Sequence, residues 1–412
     1  MKGVILCGGA GKEIAPLSDL VSKTSIIIQG KPILQHVIEG LTSAGIKDII
    51  VVVRENSDGI VKFLRNYSSK LRFTVVNQKK PGVTGAISAA RDLIHESNFF
   101  LAHGDIIAPS DFYSHLVQTV ERTGANGGIS VTLKSSISDF GLIIFNDSGD
   151  VLEVIEHPGE DKADEGNYIG AGAYIFPVEF FDALENEEYS FDAAINDLIK
   201  KKFRLVASVF SEEGSWIDIG NPFDLLSANK ILFSQLKWSK ISKSAKISTD
   251  AHIEGPVIIE TGVHIDHGAV INGPVYIGKN TYIGTNSLIR DNTTIEENCV
   301  IGYSVEITRS HIQPNSKVGR LSFIGDSVIG RETVVKSGVT VVNELPLKTI
   351  LNVRGSIFKK AGVIVGDQAD IGANTVLEPL TMIDTYERTP PGVVISDKKH
   401  SGLHKHLKKI NK

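Results

Sequence analysis

Twelve isoleucines recur at a strict six-residue interval: Ile241, Ile247, Ile253, Ile259, Ile265, Ile271, Ile277, Ile283, Ile289, Ile295, Ile301 and Ile307. From Ile247 onward, a small or β-branched residue stands two positions before each, among them Ala245, Val257, Ala269, Thr281, Ser287 and Cys299. After a one-residue slip the register resumes at Ile312, Val318 and Ile324. It slips again through Ile329, Val335 and Val341, then reappears at Val365, Ile371, Leu377 and Ile383. A helix would repeat its apolar residues every ~3.6 positions and a half-buried strand every second one. The hexad period instead predicts a parallel β-helix, in which each hexad forms one flat face of a coil and its aliphatic residue points into the stack. Such a stack is a scaffold and does not by itself state a function.

The first half has a different rhythm. Short apolar runs at Val4–Leu6, Ile49–Val53, Phe73–Val76, Phe99–Leu101 and Ile129–Val131 read as strands, with helical patterns around residues 33–41, 83–94 and 110–122 between them. This alternation predicts an α/β domain with a mixed, mostly parallel, Rossmann-like sheet covered by helices. A linking helix is expected at about 225–238. The domains are therefore read as 1–235 (α/β), 236–395 (β-helix) and 396–412, a solvated basic tail or short surface helix. At 412 residues, two domains are also the expectation from size alone. A net charge of −5 leaves no basic footprint for nucleic acid. No apolar run reaches the ~18 residues of a membrane span. The two cysteines, Cys7 and Cys299, lie in different domains, which argues against a disulfide framework; with no signal peptide, a cytoplasmic protein is expected.

Leu6-Cys7-Gly8-Gly9-Ala10-Gly11-Lys12 forms a glycine-rich turn at the end of the first strand. Glycines at such a turn let backbone N–H groups approach phosphate oxygens. The line Gly9-Ala10-Gly11-Lys12-Glu13-Ile14-Ala15-Pro16-Leu17-Ser18, with Ser22-Lys23 after it, resembles the opening motif of the sugar-1-phosphate nucleotidylyltransferases (nucleotide-sugar pyrophosphorylases). Further landmarks of that family recur in order. Gln78, Gly82 and Gly85-Ala86 match the base-recognition loop, and Gly104-Asp105 the Gly-Asp that holds a metal. Gly141 matches the sugar segment, Glu156-His157-Pro158 stands where E-K-P is usual, and Gly170-Ala171-Gly172-Ala173-Tyr174 resembles the segment under the sugar. Trp216-Ile217-Asp218-Ile219-Gly220-Asn221-Pro222 resembles W-x-D-I-G-x-P, which carries the second metal aspartate.

The resemblance covers essentially the whole chain and is closest to bifunctional members whose C-terminal β-helix, left-handed in that family, also acetylates a hexosamine phosphate. It implies a site made of Gly8, Gly9, Gly11, Lys12, Lys23, Gln78, Gly82, Asp105, Gly141, Glu156, His157, Gly172, Tyr174 and Asp218. Mg²⁺ would be held by Asp105 and Asp218, a nucleoside triphosphate and a sugar-1-phosphate would be the ligands, and a homotrimer, or a hetero-oligomer with a paralogue, is implied. The family reaction is attack of the sugar phosphate on the α-phosphorus with loss of pyrophosphate, which depends on alignment and charge neutralisation.

This chain departs from the family pattern at its cations. Glu13 replaces the arginine that grips the departing phosphates; a carboxylate ~4 Å from a phosphate at an effective dielectric of ~20 is repelled by several kcal/mol. Lys12 next door is a partial substitute. His157 replaces the lysine expected after Glu156, and Gly82-Val83 replaces Gly-Thr in the base loop. In the β-helix, Arg320-Leu321-Ser322-Phe323-Ile324-Gly325-Asp326 falls where relatives carry a histidine base, and arginine cannot take a proton at neutral pH. Asn343 matches a family asparagine; His311 is read as a surface histidine rather than a replacement base. Acetyl transfer is therefore not expected. Two readings stay open: a metal-dependent sugar-1-phosphate nucleotidylyltransferase with weakened phosphate contacts, or an inactive regulatory subunit that keeps the nucleotide-sugar pocket.

Overall fold

A computed structural model describes residues 1–54, 57–67, 70–133, 140–156, 158, 168–185, 190–210, 214–396 and 407–409. The chain divides into two compact units. One comprises Met1–Ala10, Ser22–Ser25 and Ile33–Asp218; the other comprises Gly11–Val21, Ile26–Pro32 and Ile219–Lys412.

In the first unit, the strand Lys2–Cys7 lies between Asp48–Val53 and Asn98–His103, parallel to both, and Arg72–Asn77 continues the sheet beyond Asp48–Val53. Ile49 to Val53 are buried without alternation, as expected of a central strand covered on both faces. The helix Ile33–Ser43 buries the stripe Ile33, Leu34, Val37, Ile38 and Leu41. The sheet is mixed and mostly parallel, as expected: of its described strands, only Tyr168–Pro177 and Val151–Ile155 run against the common direction. The long strand Tyr168–Pro177 runs antiparallel to Asn98–His103, to Gly127–Leu133 and to Leu142–Phe145. Leu142–Phe145 forms a hairpin with Val151–Ile155, a connection that only antiparallel neighbours can make with a short turn. The helical pattern at 83–94 breaks into a short helix, Gly82–Ser88, and a 3₁₀ turn, Arg91–Leu93, whose arginine pairs with Asp182 and Glu185.

The second unit is a left-handed β-helix. Ile241, Ile259, Ile277, Ile295, Ile312, Ile329, Val365 and Ile383 stack in one parallel sheet. Ile247, Ile265, Ile283, Ile301, Val318, Val335 and Ile371 stack in a second. Three hexads therefore make one coil, and each one-residue slip shortens one coil at a corner. Asn280, Asn286 and Asn298 take positive φ at corners, where their short polar side chains tolerate the left-handed region. The gap in register after Val341 is an excursion. Val341 pairs directly with Leu377, and the intervening chain leaves the stack as the hairpin Thr349–Val353 and Ser356–Phe358.

Three expectations are corrected here. Ile241 is 46 % exposed, whereas Ile265 through Ile307 are fully buried, because the strand of Ile241 ends its sheet and has a neighbour on one side only. The linking helix is Asp224–Ser234, ending before the exposed Trp238. Within the basic tail, Leu407–Lys409 is a strand paired with Thr349–Val353; residues 397–406 and 410–412 lie outside the described residues. Cys7 and Cys299 are buried and unbridged. No helix among the described residues is long and apolar enough to cross a membrane.

Candidate active site

In the first unit the chain leaves Lys2–Cys7 toward Asp48–Val53 on one side and returns to Asn98–His103 on the other. The carboxyl ends of these strands therefore open a crevice at a topological switch point, where ligands of open α/β sheets bind. Two adjoining clefts lie there and share Val83. One, of about 730 Å³, is lined by Gly8, Gly9, Ala10, Arg54, Gln78, Lys79, Lys80 and Gly82. The other, of about 390 Å³, is lined by His103, Phe140, Gly141, Glu156, Gly172, Tyr174, Trp216 and Asp218 among others.

The glycine turn is built for close approach. A Cβ on Gly8 would lie 2.1 Å from Gln78 Oε1, whereas nothing lies within 4 Å of one on Gly9. Gln78 Nε2 donates to the carbonyls of Lys80, at 2.6 Å, and Gly82, at 2.9 Å, and so braces the loop that faces the turn. Gly82 sits at φ +84, open to left-handed backbone only because it lacks a side chain.

Beside this turn, Lys23 forms an ion pair with Asp105, the two side chains being 14 % and 19 % exposed. Burial alone would raise the Asp105 carboxyl, but the Lys23 ammonium, His103 and hydrogen bonds from Lys23 and its own backbone hold it below the usual carboxylate range. Gly104 must be glycine, since a Cβ would meet Leu6 O at 2.7 Å and Cys7 Sγ at 2.8 Å. Burial pushes the Cys7 thiol up to about 12, opposed by a hydrogen bond from Thr24 and further raised by Asp105, which leaves it an inert packing group.

The second cleft rests on a kink. The register between Tyr168–Pro177 and Gly127–Leu133 shifts between Gly170 and Tyr174, and Gly172 there has φ +74. Trp216 Nε1 donates to Ala171 O at 2.9 Å, tying the kink to the strand Ile217–Asp218, whose register sets Asp218 opposite Ile106. Asp105, in the turn just before Ile106, and Asp218, paired opposite Ile106, thus lie on adjoining segments. Glu156 closes on Gly141, 3.0 Å from the position of a Cβ there. Burial, with Glu156 and Asp218 close by, drives the Tyr174 hydroxyl well above its ordinary value, so it stays neutral.

Of the residues expected from sequence, Gly8, Gly9, Gln78 and Gly82 meet in one cleft, and Gly141, Glu156, Gly172, Tyr174 and Asp218 in the other. Lys23 and Asp105 meet each other. Gly11, Lys12 and Glu13 belong to the second unit, where Lys12–Ile14 is a 3₁₀ turn with Lys12 and Glu13 exposed. His157 lies outside the described residues. Sequence reasoning missed Arg54, Lys79 and Lys80 in the first cleft and His103 in the second. Arg54 directly follows the apolar run Ile49–Val53, and a cation at the carboxyl end of a central strand was the available signal.

A nucleotidyl transferase family model matches residues 2–235, and a chain-long relative, the bifunctional protein GlmU of Methanocaldococcus jannaschii, is 31 % identical over 92 % of this chain and 91 % of its own. The chain belongs to the nucleotidyl transferase family. A bifunctional sugar-1-phosphate nucleotidylyltransferase/acetyltransferase of Sulfurisphaera tokodaii is 30 % identical to this family member over 96 % of this chain and 97 % of the relative. Residues 271–377 of this nucleotidyl transferase match the model of a GMPPB C-terminal domain. A UDP-glucose pyrophosphorylase structure from Acinetobacter baumanii shares the fold of the first unit at TM-score 0.51 and 18 % identity, covering 57 % of this chain and 94 % of that one.

The β-helix of this nucleotidyl transferase departs from expectation at one residue. His311 is fully buried, not a surface histidine. Its hexad face is covered by the helix Asp224–Ser234, and its ring lies 3.2 Å from Asn229 Nδ2, 2.8 Å from Gln313 Nε2 and 3.4 Å from Glu296 Oε1. Arg320 is exposed and stacks over Tyr303, 5.6 Å from the ring centroid. Asn343 Nδ2 donates to Asp326 Oδ2 at 2.6 Å.

Proposed function

We propose that this nucleotidyl transferase joins a sugar-1-phosphate to a nucleoside triphosphate. A sugar-phosphate oxygen forms the new bond to the α-phosphorus, the bond to the β-phosphate oxygen breaks, and pyrophosphate leaves. The observation that carries the reading is the pair of adjoining clefts at the switch point. The glycine turn and Gln78 loop would take the nucleotide, and Gly141, Glu156, Gly172 and Tyr174 the sugar. The family membership supports the coarse reaction class, and relatives named for the same transfer align along nearly the whole chain.

No group of three or more His, Cys, Asp or Glu side chains gathers among the described residues, so a protein-only metal cage is not what this site offers. Two hard carboxylates on adjoining segments fit Mg²⁺, which typically binds through one or two carboxylates plus substrate phosphates and waters. Asp105 and Asp218 would hold it, and bound there it would neutralise phosphate charge. Lys23 would sit beside the same carboxylate, poised to exchange its ion pair for a phosphate oxygen. By the family resemblance alone, Gly11 and Lys12 would belong to the phosphate-binding motif, and Glu13 and His157 would weaken it. The division at 235/236 and 395/396, a cytoplasmic setting and a homotrimer held by the β-helix belong to this proposal. Arg320 in place of a base supports an assembly role for the β-helix over acetyl transfer.

A second reading, a nucleotide-sugar-binding subunit without turnover, is favoured by the carboxylate of Glu13. Pyrophosphate release by the full chain with Mg²⁺, over a panel of nucleoside triphosphates and sugar-1-phosphates, decides between them. Release above background for at least one pair is expected; none for every pair would sink the enzyme reading. Glu13→Arg is expected to raise kcat/KM by roughly 10–100-fold, the change that one favourable in place of one unfavourable charge contact gives at a screened site. An unchanged or lower value would show that Glu13 does not face phosphate.

A further inference from the structure

The second unit buries a titratable pair that the transfer reaction does not use. Glu296 and His311 are both fully buried, with Glu296 Oε1 3.4 Å from His311 Nε2. Two pieces of chain from the same unit, the segment Ile26–Pro32 and the helix Asp224–Ser234, bond to this pair and to Gln313 beside it. Gly30 N–H donates to Glu296 Oε2 at 2.8 Å, Gln313 Nε2 donates to Ile27 O at 2.8 Å, and the Asn229 amide lies 3.2 Å from His311 Nδ1. Glu296 Oε1 has no hydrogen-bond partner among the described residues. A carboxylate oxygen buried and unbonded in this way is costly as a bare charge. The group beside it that can exchange a proton is the His311 ring. Either the carboxyl is neutral or the ring is a cation, and in both cases the pair holds one proton and no net charge. Gln313 Nε2 lies 2.8 Å from His311 Nε2 and is fixed as a donor by Ile27 O. That favours the proton on Glu296, since the ring nitrogen is then left as an acceptor.

We propose that Glu296 and His311 share a single proton and act as a latch, holding Ile26–Pro32 and Asp224–Ser234 on the coils only while the pair keeps that count. A second proton would leave a buried imidazolium without its carboxylate. Loss of the first would leave a buried carboxylate beside a neutral ring. Either state is more costly closed than open, where water reaches the charge. The neighbouring groups do not blur the count. Burial, with Glu296, Glu260 and Glu297 near, drives the Tyr276 hydroxyl well above its ordinary value. Burial also pushes the Cys299 thiol up to about 12, opposed by a backbone hydrogen bond from Ser316 and reinforced by Glu296. Both therefore stay neutral, and Glu260 and Glu297 keep contact with solvent. On the covering elements, Asp224 is paired with Arg354 at 3.6 Å, Lys230 is exposed and Lys31 is half-buried. The latch needs nothing from the nucleotidyl-transfer reading.

The test is hydrogen–deuterium exchange of the full chain, read in peptides covering 26–32 and 224–234. It runs from mildly acid to mildly alkaline solution and is corrected for the intrinsic pH dependence of exchange. Protection in wild type is expected to peak in between and to fall on both sides, by up to ~10-fold per pH unit, the limit for one linked proton. Glu296→Gln keeps its side-chain hydrogens at every pH, so its amide stands in for the protonated carboxyl. This variant should keep the acid fall, which belongs to His311, and lose the alkaline one. Glu296→Gln/His311→Gln should lose both. Protection that stays level across the range in wild type would overturn the inference without any variant. An alkaline fall retained by Glu296→Gln would do the same, as would a failure of that variant to fold, because glutamine has the shape of the protonated acid. None of these measurements involves turnover, so the latch and the enzyme reading stand or fall separately.

Discussion

Asp105→Asn is expected to lower pyrophosphate release by on the order of 10²–10³-fold, the range for losing one preorganised electrostatic contact at a reacting phosphate. Lys23→Met should match it in activity but differ in stability. Removing the ammonium leaves the Asp105 carboxylate, only 19 % exposed, without its counter-charge. Breaking a buried pair in this way costs about 3 kcal/mol, taken at the low end because both groups keep some solvent. Removing both charges in Lys23→Met/Asp105→Asn should recover stability to within about 1 kcal/mol of wild type while leaving the protein inactive. The pH dependence has a definite sign. Asp105 has a lowered folded-state pKa, so its stabilisation is present above the ordinary value of 3.8 and is lost as pH falls through the lowered one. The penalty of Lys23→Met should therefore be full at neutral pH and shrink in acid, as the carboxyl takes up its proton. Urea titrations of the four proteins at two pH values measure all of this. A double variant as unstable as Lys23→Met would refute the pairing argument.

Ile295→Ala is expected to cost about 2–5 kcal/mol, through lost burial and the cavity left in a stack that cannot collapse around it. Ile295 is fully buried and has a rung on either side, Ile277 and Ile312. Ile241→Ala changes the same residue type in the same ladder, yet should cost less than about 1 kcal/mol, because most of what a truncation loses is burial. Ile241 is 46 % exposed and has a single rung neighbour, Ile259. Comparing urea midpoints of the full chain tests the contrast; equal losses would mean that the ladder is not stabilised rung by rung.

The β-helix was legible because its period repeats locally: each isoleucine declares its orientation within one hexad. The excursion after Val341 was legible only as a lapse in register, since nothing in 342–361 states that it leaves the stack to form a hairpin. The sheet strands were legible as apolar runs, but their directions were not. Tyr168–Pro177 and Asp48–Val53 are both apolar runs, and what makes one antiparallel is the length and path of the connections around it. Gly8 was picked out as part of a glycine-rich turn after the first strand, whereas Gln78 and Asp105 were named only through the family resemblance. Arg54 left only a cation after an apolar run, a signal that matters once the strand's place in the sheet is known. His311 was misread for a related reason. Its neighbours in sequence are a polar hexad corner, while the groups that cover it, above all Asn229, lie 82 residues away.

The second unit contains pieces of chain that are made first. Gly30 N–H donates to Glu296 Oε2, Ile27 O accepts from Gln313 Nε2, and Pro16 O accepts from Thr385 Oγ1, across separations of 266, 286 and 369 residues. At synthesis rates of ~5–20 residues per second, residues 11–32 emerge on the order of tens of seconds before the coils they join exist. During that interval these N-terminal segments keep only their local bonds, such as the pairing of Ile27–Ile28 with Lys31–Pro32, and loop closure over such distances is slow to be rewarded. A ribosome-bound chain stopped before the β-helix would thus hold residues 11–21 and 26–32 without the coils they bond to, and the late coils are the step that completes these early segments.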